Sequence, residues 1–304
     1  MFVYNVQYMN LSPIQRAQRA LHGLAVGDAF GETLFGEPHA IARRVAKRLI
    51  ATSRPWRWTD DTAMALSVVE VLARCQTIEQ DQLMASFVDR WAAEPNRGYG
   101  QGAFTVLTRV SYGAPWRREA KRLFNGQGSF GNGAAMRAAP IGAYFADDFR
   151  RVQVEAMRSA ETTHMHADGI AGAVAVAIAA ACATRGMAST ALLSEVLRWT
   201  PPGHLHQRMQ RAAEIPLDAQ LASVADELGT GLDVAAHDTV PFCVWVAARH
   251  WHCYEDALWT AAGQPGDRDT LAAIVGGIVV MVPGAEILVL WQAATEPLPA
   301  CAPP

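Results

Sequence analysis

Thr59-Asp60-Asp61-Thr62-Ala63-Met64-Ala65-Leu66-Ser67-Val68-Val69-Glu70-Val71-Leu72-Ala73 is a twice-acidic start that runs straight into an apolar stretch. Its Ala, Leu, Met and Val residues recur at spacings of three and four, which builds the buried face of an α-helix and not a strand. The same design returns near the other end, where Gly266-Asp267-Arg268-Asp269-Thr270 opens onto an apolar run reaching Val282. A Thr or Asp ahead of such a run is a helix N-cap, and a second acid in the first turn suits the helix dipole. One helix start, however, uses one capping oxygen. Asp60 beside Asp61, and Asp267 two residues from Asp269, add repelling charge that a cation would neutralise. Each cluster therefore reads either as a cap or as half of a metal site, and spacing alone does not choose. A metal held here would meet carboxylates and hydroxyls with no Cys or His, the donor set of a hard cation such as Mg²⁺ rather than of zinc.

Helical periodicity extends to Ile14–Phe30, Gln82–Ala93, Ala134–Phe145, Ala167–Ala183, Leu192–Trp199 and Asp238–Trp251. No run shows sustained strand alternation, so the expected fold is all-α. Glycine and proline mark loops at residues 98–102, 126–133 and 201–203, and the abundance of Ala and Gly implies close helix packing. At 304 residues, 51% hydrophobic and 18% charged, the chain is near the upper size for one core. The expectation is a single multi-helix domain over residues 1–304, with its core from about 13 to 292 and short flexible tails at both ends. The apolar window Gly169–Ala183 is too short to span a bilayer, and Leu271–Trp291 is interrupted by Gly276, Gly277, Pro283, Gly284 and Glu286. Both read as buried core helices.

A formal net charge of −3 provides no field for gripping phosphate backbones, so no stable nucleic-acid partner is expected. Five scattered cysteines, odd in number and without a C-x-x-C pair, argue against a disulfide framework and a zinc knuckle. Residues Met1 to Asn10 lack a basic region followed by an apolar stretch. A cytoplasmic monomer without a membrane partner is the simplest expectation.

The third informative stretch is Phe124-Asn-Gly-Gln-Gly-Ser-Phe-Gly-Asn-Gly-Ala-Ala-Met-Arg137. Gly126, Gly128, Gly131 and Gly133 free the backbone to bring N–H groups against an anion such as a pyrophosphate, at the start of an expected helix. Phe124 and Phe130 suit either stacking on a base or ordinary packing. The loop does not follow a strand, so it is not a dinucleotide-fold fingerprint.

Five motifs in order carry a resemblance: Leu24-Ala-Val-Gly-Asp-Ala-Phe-Gly31, Trp58-Thr-Asp-Asp-Thr62, Gly128-Ser-Phe-Gly-Asn-Gly-Ala-Ala-Met-Arg137, Thr163-His164 and Gly266-Asp-Arg-Asp-Thr270. Together, from about residue 15 to residue 282, the chain resembles the ADP-ribosylglycohydrolase family, and its glycine loop is most similar to the serine-ADP-ribose hydrolase branch. That resemblance implies an all-α fold with a central two-metal cleft and two Mg²⁺ ions, with Mn²⁺ as a substitute. It also implies hydrolysis of the bond between ADP-ribose and an acceptor, which is a protein side chain, a nucleobase or a small molecule. Carried over by position, it places Thr59, Asp60, Asp61 and Asp269 on one metal and Asp267, Asp269 and Thr270 on the other. Gly128, Ser129, Phe130, Gly131, Asn132 and Gly133 fall around the diphosphate, Phe124 against adenine, His164 at the adenosine end, and Gly102 on the substrate side. His164 alone reads as a structural histidine; its place after Thr163 makes it a site residue.

Asp60 or Asp61 is the expected proton acceptor for the attacking water. The serine-specific branch carries a glutamate four residues beyond the glycine of the first motif. Phe35 stands there in this chain, so Glu32 is the substitute. Arg268, between the two late aspartates where the family carries a small hydroxyl residue, is expected to point outward or to meet phosphate. Two other classes fit the same residues: a degenerate nucleotide binder, and a two-metal phosphohydrolase that would release AMP.

Overall fold

Ser12 and Gln15 cap one another reciprocally ahead of Pro13, and this start sets the first helix, α1 (Pro13–Glu32). A computed structural model describes residues 11–299. The helices that follow are α2 (Pro38–Ala46), α3 (Asp60–Cys75), α4 (Gln80–Ala93), α5 (Gln101–Ser111), α6 (Trp116–Gly126), α7 (Ala139–Tyr144), α8 (Phe149–Glu161) and α9 (Ala167–Thr184). Then come α10 (Ser189–Trp199), α11 (His204–Glu214), α12 (Leu221–Leu228), α13 (Ala236–Arg249), α14 (Tyr254–Ala262), α15 (Arg268–Val279) and α16 (Val289–Ala294). Among the described residues no strand forms, and the isolated bridges are Trp56 with Thr295 and Gly131 with Ala235.

The pairing of α1 with α15 positions the site. A Cβ on Gly27 would lie 2.2 Å from the Ala272 carbonyl oxygen, and one on Gly31 would lie 2.4 Å from that of Arg268. Only glycine lets the two backbones touch, and the contact draws the N-terminus of α15 beside Asp28 of α1. Phe30, at the end of that seam, stacks on Trp291 at 4.3 Å and meets Trp259 edge-on at 4.8 Å, which buries the aromatic floor. The buried apolar residues form one contiguous cluster, so a single core organises the described chain.

Helix α9 is long and apolar enough to cross a membrane, but 83% of it is buried inside the protein. It is a core helix, as its composition suggested. The expected helix over Ala134–Phe145 is broken instead: a 3₁₀ turn at Asn132–Ala134 precedes the short α7. Pro140 explains the break, because proline lacks the N–H a continuing helix needs and here occupies the first turn of α7. The core also runs further than residue 292, since Glu296 N–H donates to Trp56 O at 2.8 Å and its carboxylate pairs with Arg97 at 2.7 Å. As for the expected flexible tails, residues 1–10 and 300–304 lie outside the described residues.

Candidate active site

Five aspartates converge where α1, α3 and α15 meet. Asp28 is the buried pivot. Its Oδ2 accepts from Thr59 N–H at 2.9 Å, Thr62 N–H at 3.1 Å and the Thr62 hydroxyl at 2.5 Å, and its Oδ1 accepts from the Thr59 hydroxyl at 2.9 Å. These bonds hold the first turn of α3, and with it Asp60 and Asp61, against α1. Asp61 Oδ2 lies 3.3 Å from the Thr59 hydroxyl and 3.4 Å from that of Thr270, whereas Asp61 Oδ1 is buried with no hydrogen-bond partner. A buried, unpaired carboxylate oxygen is costly unless a cation meets it.

The electrostatics agree. Burial, then the charges of Asp269 and Asp28, push Asp60 well above the ordinary carboxylate range; for Asp61, burial is followed by Asp28 and Asp269. Burial and the neighbouring Asp269 raise Asp267 to about 7, and burial raises Asp269 to about 6. Carboxylates crowded this way must take up protons or a cation. Asp60, Asp61, Asp267, Asp269 and Thr270 offer oxygen alone, and they fit a hard divalent ion.

The acids line a cleft of about 420 Å³, a size suited to a small-molecule ligand. The glycine loop lines it too, through Ser129, Phe130, Gly131, Asn132 and Gly133, together with Phe124, Gly102 and His164. Asn132 joins loop and acids: its Nδ2 donates to Asp267 Oδ2 at 2.7 Å and to the Thr239 hydroxyl at 3.1 Å. Phe124 and Asn125 both adopt left-handed backbone, at φ 49° and 59°, which is strained for residues with side chains. The Phe124 ring is left 49% exposed beside Phe130, with centroids 5.1 Å apart.

His164 is held from behind. Fully buried Arg137 donates to Gly133 O at 2.9 Å and to the Thr163 hydroxyl at 2.9 Å, and that hydroxyl lies 2.7 Å from His164 Nδ1. Arg137 only donates, so the Thr163 proton is directed to Nδ1. Burial, then the nearby Arg137 cation, lower the His164 pKa to about 3. The neutral ring therefore carries its proton on Nε2, facing the loop; a Cβ on Gly133 would lie 3.1 Å from that nitrogen.

The family model for ADP-ribosylglycohydrolase matches residues 9–296. The chain belongs to the ADP-ribosylglycohydrolase family. It is 29% identical over 280 residues to the Mus musculus ADP-ribosylhydrolase ARH3, covering 79% of this chain and 73% of that protein. It is 24% identical over 288 residues to the ADP-ribosylarginine hydrolase Tri1 of Serratia proteamaculans, covering 87% and 70%. A solved structure described as an ADP-ribosylglycohydrolase-related protein complex superimposes with a TM-score of 0.67 at 24% identity, covering 94% of this chain and 93% of that one. This last likeness concerns the fold.

Within this ADP-ribosylglycohydrolase, most positions singled out by sequence come together in the cleft. Three do not line it. Gly128 turns the chain at φ +79°, where a side chain would strike His166 N at 2.8 Å, so it shapes the loop from behind. The Thr59 hydroxyl turns to Asp28 and orients the aspartates. Glu32, the exposed last residue of α1, does not line the cleft, although its charge is near enough to Asp269 to raise it. Arg268 meets neither solvent alone nor the cleft. Its half-buried guanidinium donates to Ala262 O at the C-terminus of α14, where a cation suits the helix dipole.

Asp28 was missed as a site residue, although a lone acid inside the apolar run Leu24–Phe30 is a readable signal. Arg137, Asp233 and Val234 also went unassigned. The last two line the cleft, where Val234 O accepts from Asn132 N–H at 3.1 Å.

Proposed function

We propose that this protein is a Mg²⁺-dependent hydrolase that releases ADP-ribose from a modified acceptor. One observation carries this reading: Asp61, whose Oδ1 is orphaned inside a cluster of aspartates, lines the same cleft as a glycine loop and an exposed aromatic side chain. The likeness to ADP-ribosylhydrolases supports the substrate class. In this reading the Phe124 and Phe130 rings receive the adenine, Gly131 and Asn132 receive the diphosphate, and the distal ribose reaches the acids.

Asp60, Asp61, Asp267, Asp269 and Thr270 would hold two divalent ions, with Thr59 orienting Asp61. When bound, such ions hold ribose hydroxyls and acidify water. The Asp60 carboxylate lines the cleft beside Gly98, where it takes the proton of the water that attacks C1″. The water oxygen bonds to C1″ as the C1″–acceptor bond breaks, and the proton received by Asp60 passes to the leaving atom. Asn132 keeps Asp267 in place while this occurs.

The test is a panel of serine-, arginine-, nucleobase- and small-molecule-linked ADP-ribose incubated with protein and Mg²⁺. Free ADP-ribose that disappears with chelator is the expected product. AMP would indicate phosphohydrolase chemistry, and tight ADP-ribose binding without turnover would indicate a degenerate binder.

A further inference from the structure

Behind the cleft wall, Asp168, His204 and His237 converge from the N-terminal turns of α9, α11 and α13. Their ligating atoms all lie within 4.8 Å of one another. Asp168 Oδ2 is 3.4 Å from His204 Nδ1 and 3.4 Å from His237 Nδ1. Metal–ligand bonds of 2.0–2.2 Å at tetrahedral angles place neighbouring donor atoms roughly 3.3–3.6 Å apart. Both Asp–His separations match that spacing.

The hydrogen bonding also points to a ligand. His237 Nδ1 is buried and has no hydrogen-bond partner, although Asp168 Oδ2 is near. Asp168 is itself buried, and its other oxygen accepts from Leu205 N–H at 3.0 Å, which turns Oδ2 toward the two imidazoles. Outer bonds of this kind orient ligating carboxylates.

We propose that Asp168, His204 and His237 form a mononuclear site for a zinc-class transition metal, separate from the aspartate cleft. Two imidazole nitrogens and one carboxylate are the donors zinc takes with a fourth position left to water, and they disfavour Mg²⁺. The site clips α9, α11 and α13 together directly behind Phe130. The His237 ring centroid is 6.4 Å from that of Phe130, and Ala236 N–H donates to Phe130 O at 2.9 Å.

The test uses tag-free, chelator-stripped full-length protein in saturating Mg²⁺, titrated with Zn²⁺ alone by calorimetry and with Co²⁺ by visible absorption. The expected result is one Zn²⁺ per chain, a four-coordinate Co²⁺ spectrum and a Zn²⁺-dependent rise in melting temperature. His204→Ala should weaken Zn²⁺ binding by about tenfold or more, and His237→Ala likewise. His204 is 54% exposed, so its variant should remain folded, as circular dichroism would verify. Asp269→Ala should keep the Zn²⁺ site. Zn²⁺ binding that is absent, or unchanged in both histidine variants, would overturn the proposal.

Discussion

Asn132 of the glycine loop donates to Asp267 of the late acidic cluster at 2.7 Å, so two motifs 135 residues apart share one charge-assisted hydrogen bond. The bond ties the position of the glycine loop to that of the acidic cluster.

Asn132→Ala should therefore impair both functions. Loss of a hydrogen bond to a charged group costs roughly 1.5–3 kcal/mol. Calorimetry should show weaker ADP-ribose binding in Mg²⁺ and weaker Mg²⁺ binding alone. If both affinities stay at wild-type values, the link is idle.

Asp28 can be tested by comparing two neutral replacements. Asn keeps one oxygen for the three donors at Oδ2, and its amide nitrogen faces the Thr59 hydroxyl, which can redirect its proton to Asp61 Oδ2, 3.3 Å away. Ala satisfies none of them. Urea unfolding should find Asp28→Ala less stable than Asp28→Asn by about 2–4 kcal/mol, since buried donors left unpaired cost about 1–3 kcal/mol each. Equal stabilities would mean the hydrogen bonds contribute little.

Stability should depend on pH in opposite ways with and without metal. Burial raises Asp28 and Asp269 to about 6, and burial with the Asp269 charge raises Asp267 to about 7. The metal-free folded state therefore holds protons that the unfolded chain, with carboxylates near pH 4, has released. Its stability falls as pH rises from about 4 to about 7. Mg²⁺ displaces those protons, so its affinity should climb over the same interval. Melting temperatures in chelator and in Mg²⁺ across this range check both slopes; parallel curves would contradict the assignment.

Arg268→Thr should cost about 0.5–1.5 kcal/mol of stability through the lost bond to Ala262 O, with ADP-ribose affinity unchanged. Thermal melts and calorimetry on the same preparation separate the two quantities. A marked fall in affinity would return Arg268 to the ligand.

The all-α class, the buried α9 and the acidic clusters were legible in sequence because each is a local signal: period, composition, or charge repeated beyond what a cap uses. Pro140 is legible too, but the apolar period of Ala134–Phe145 runs through it unbroken. The amphipathic α8 and α11 were overlooked, since their charged residues dilute the apolar rhythm of a face buried only against neighbours.

What the sequence by itself determined is which residues are chemically able to act, because donor type and local backbone preference are properties of the residues themselves. Tertiary structure decided which of them act together. The glycine seam between α1 and α15 makes Asp28 the pivot of the cluster. Packing of α14 gives Arg268 a carbonyl to meet, and three helix starts bring Asp168, His204 and His237 to one point. Such distances arise only when backbones far apart in the chain are pressed together, and no local pattern encodes them.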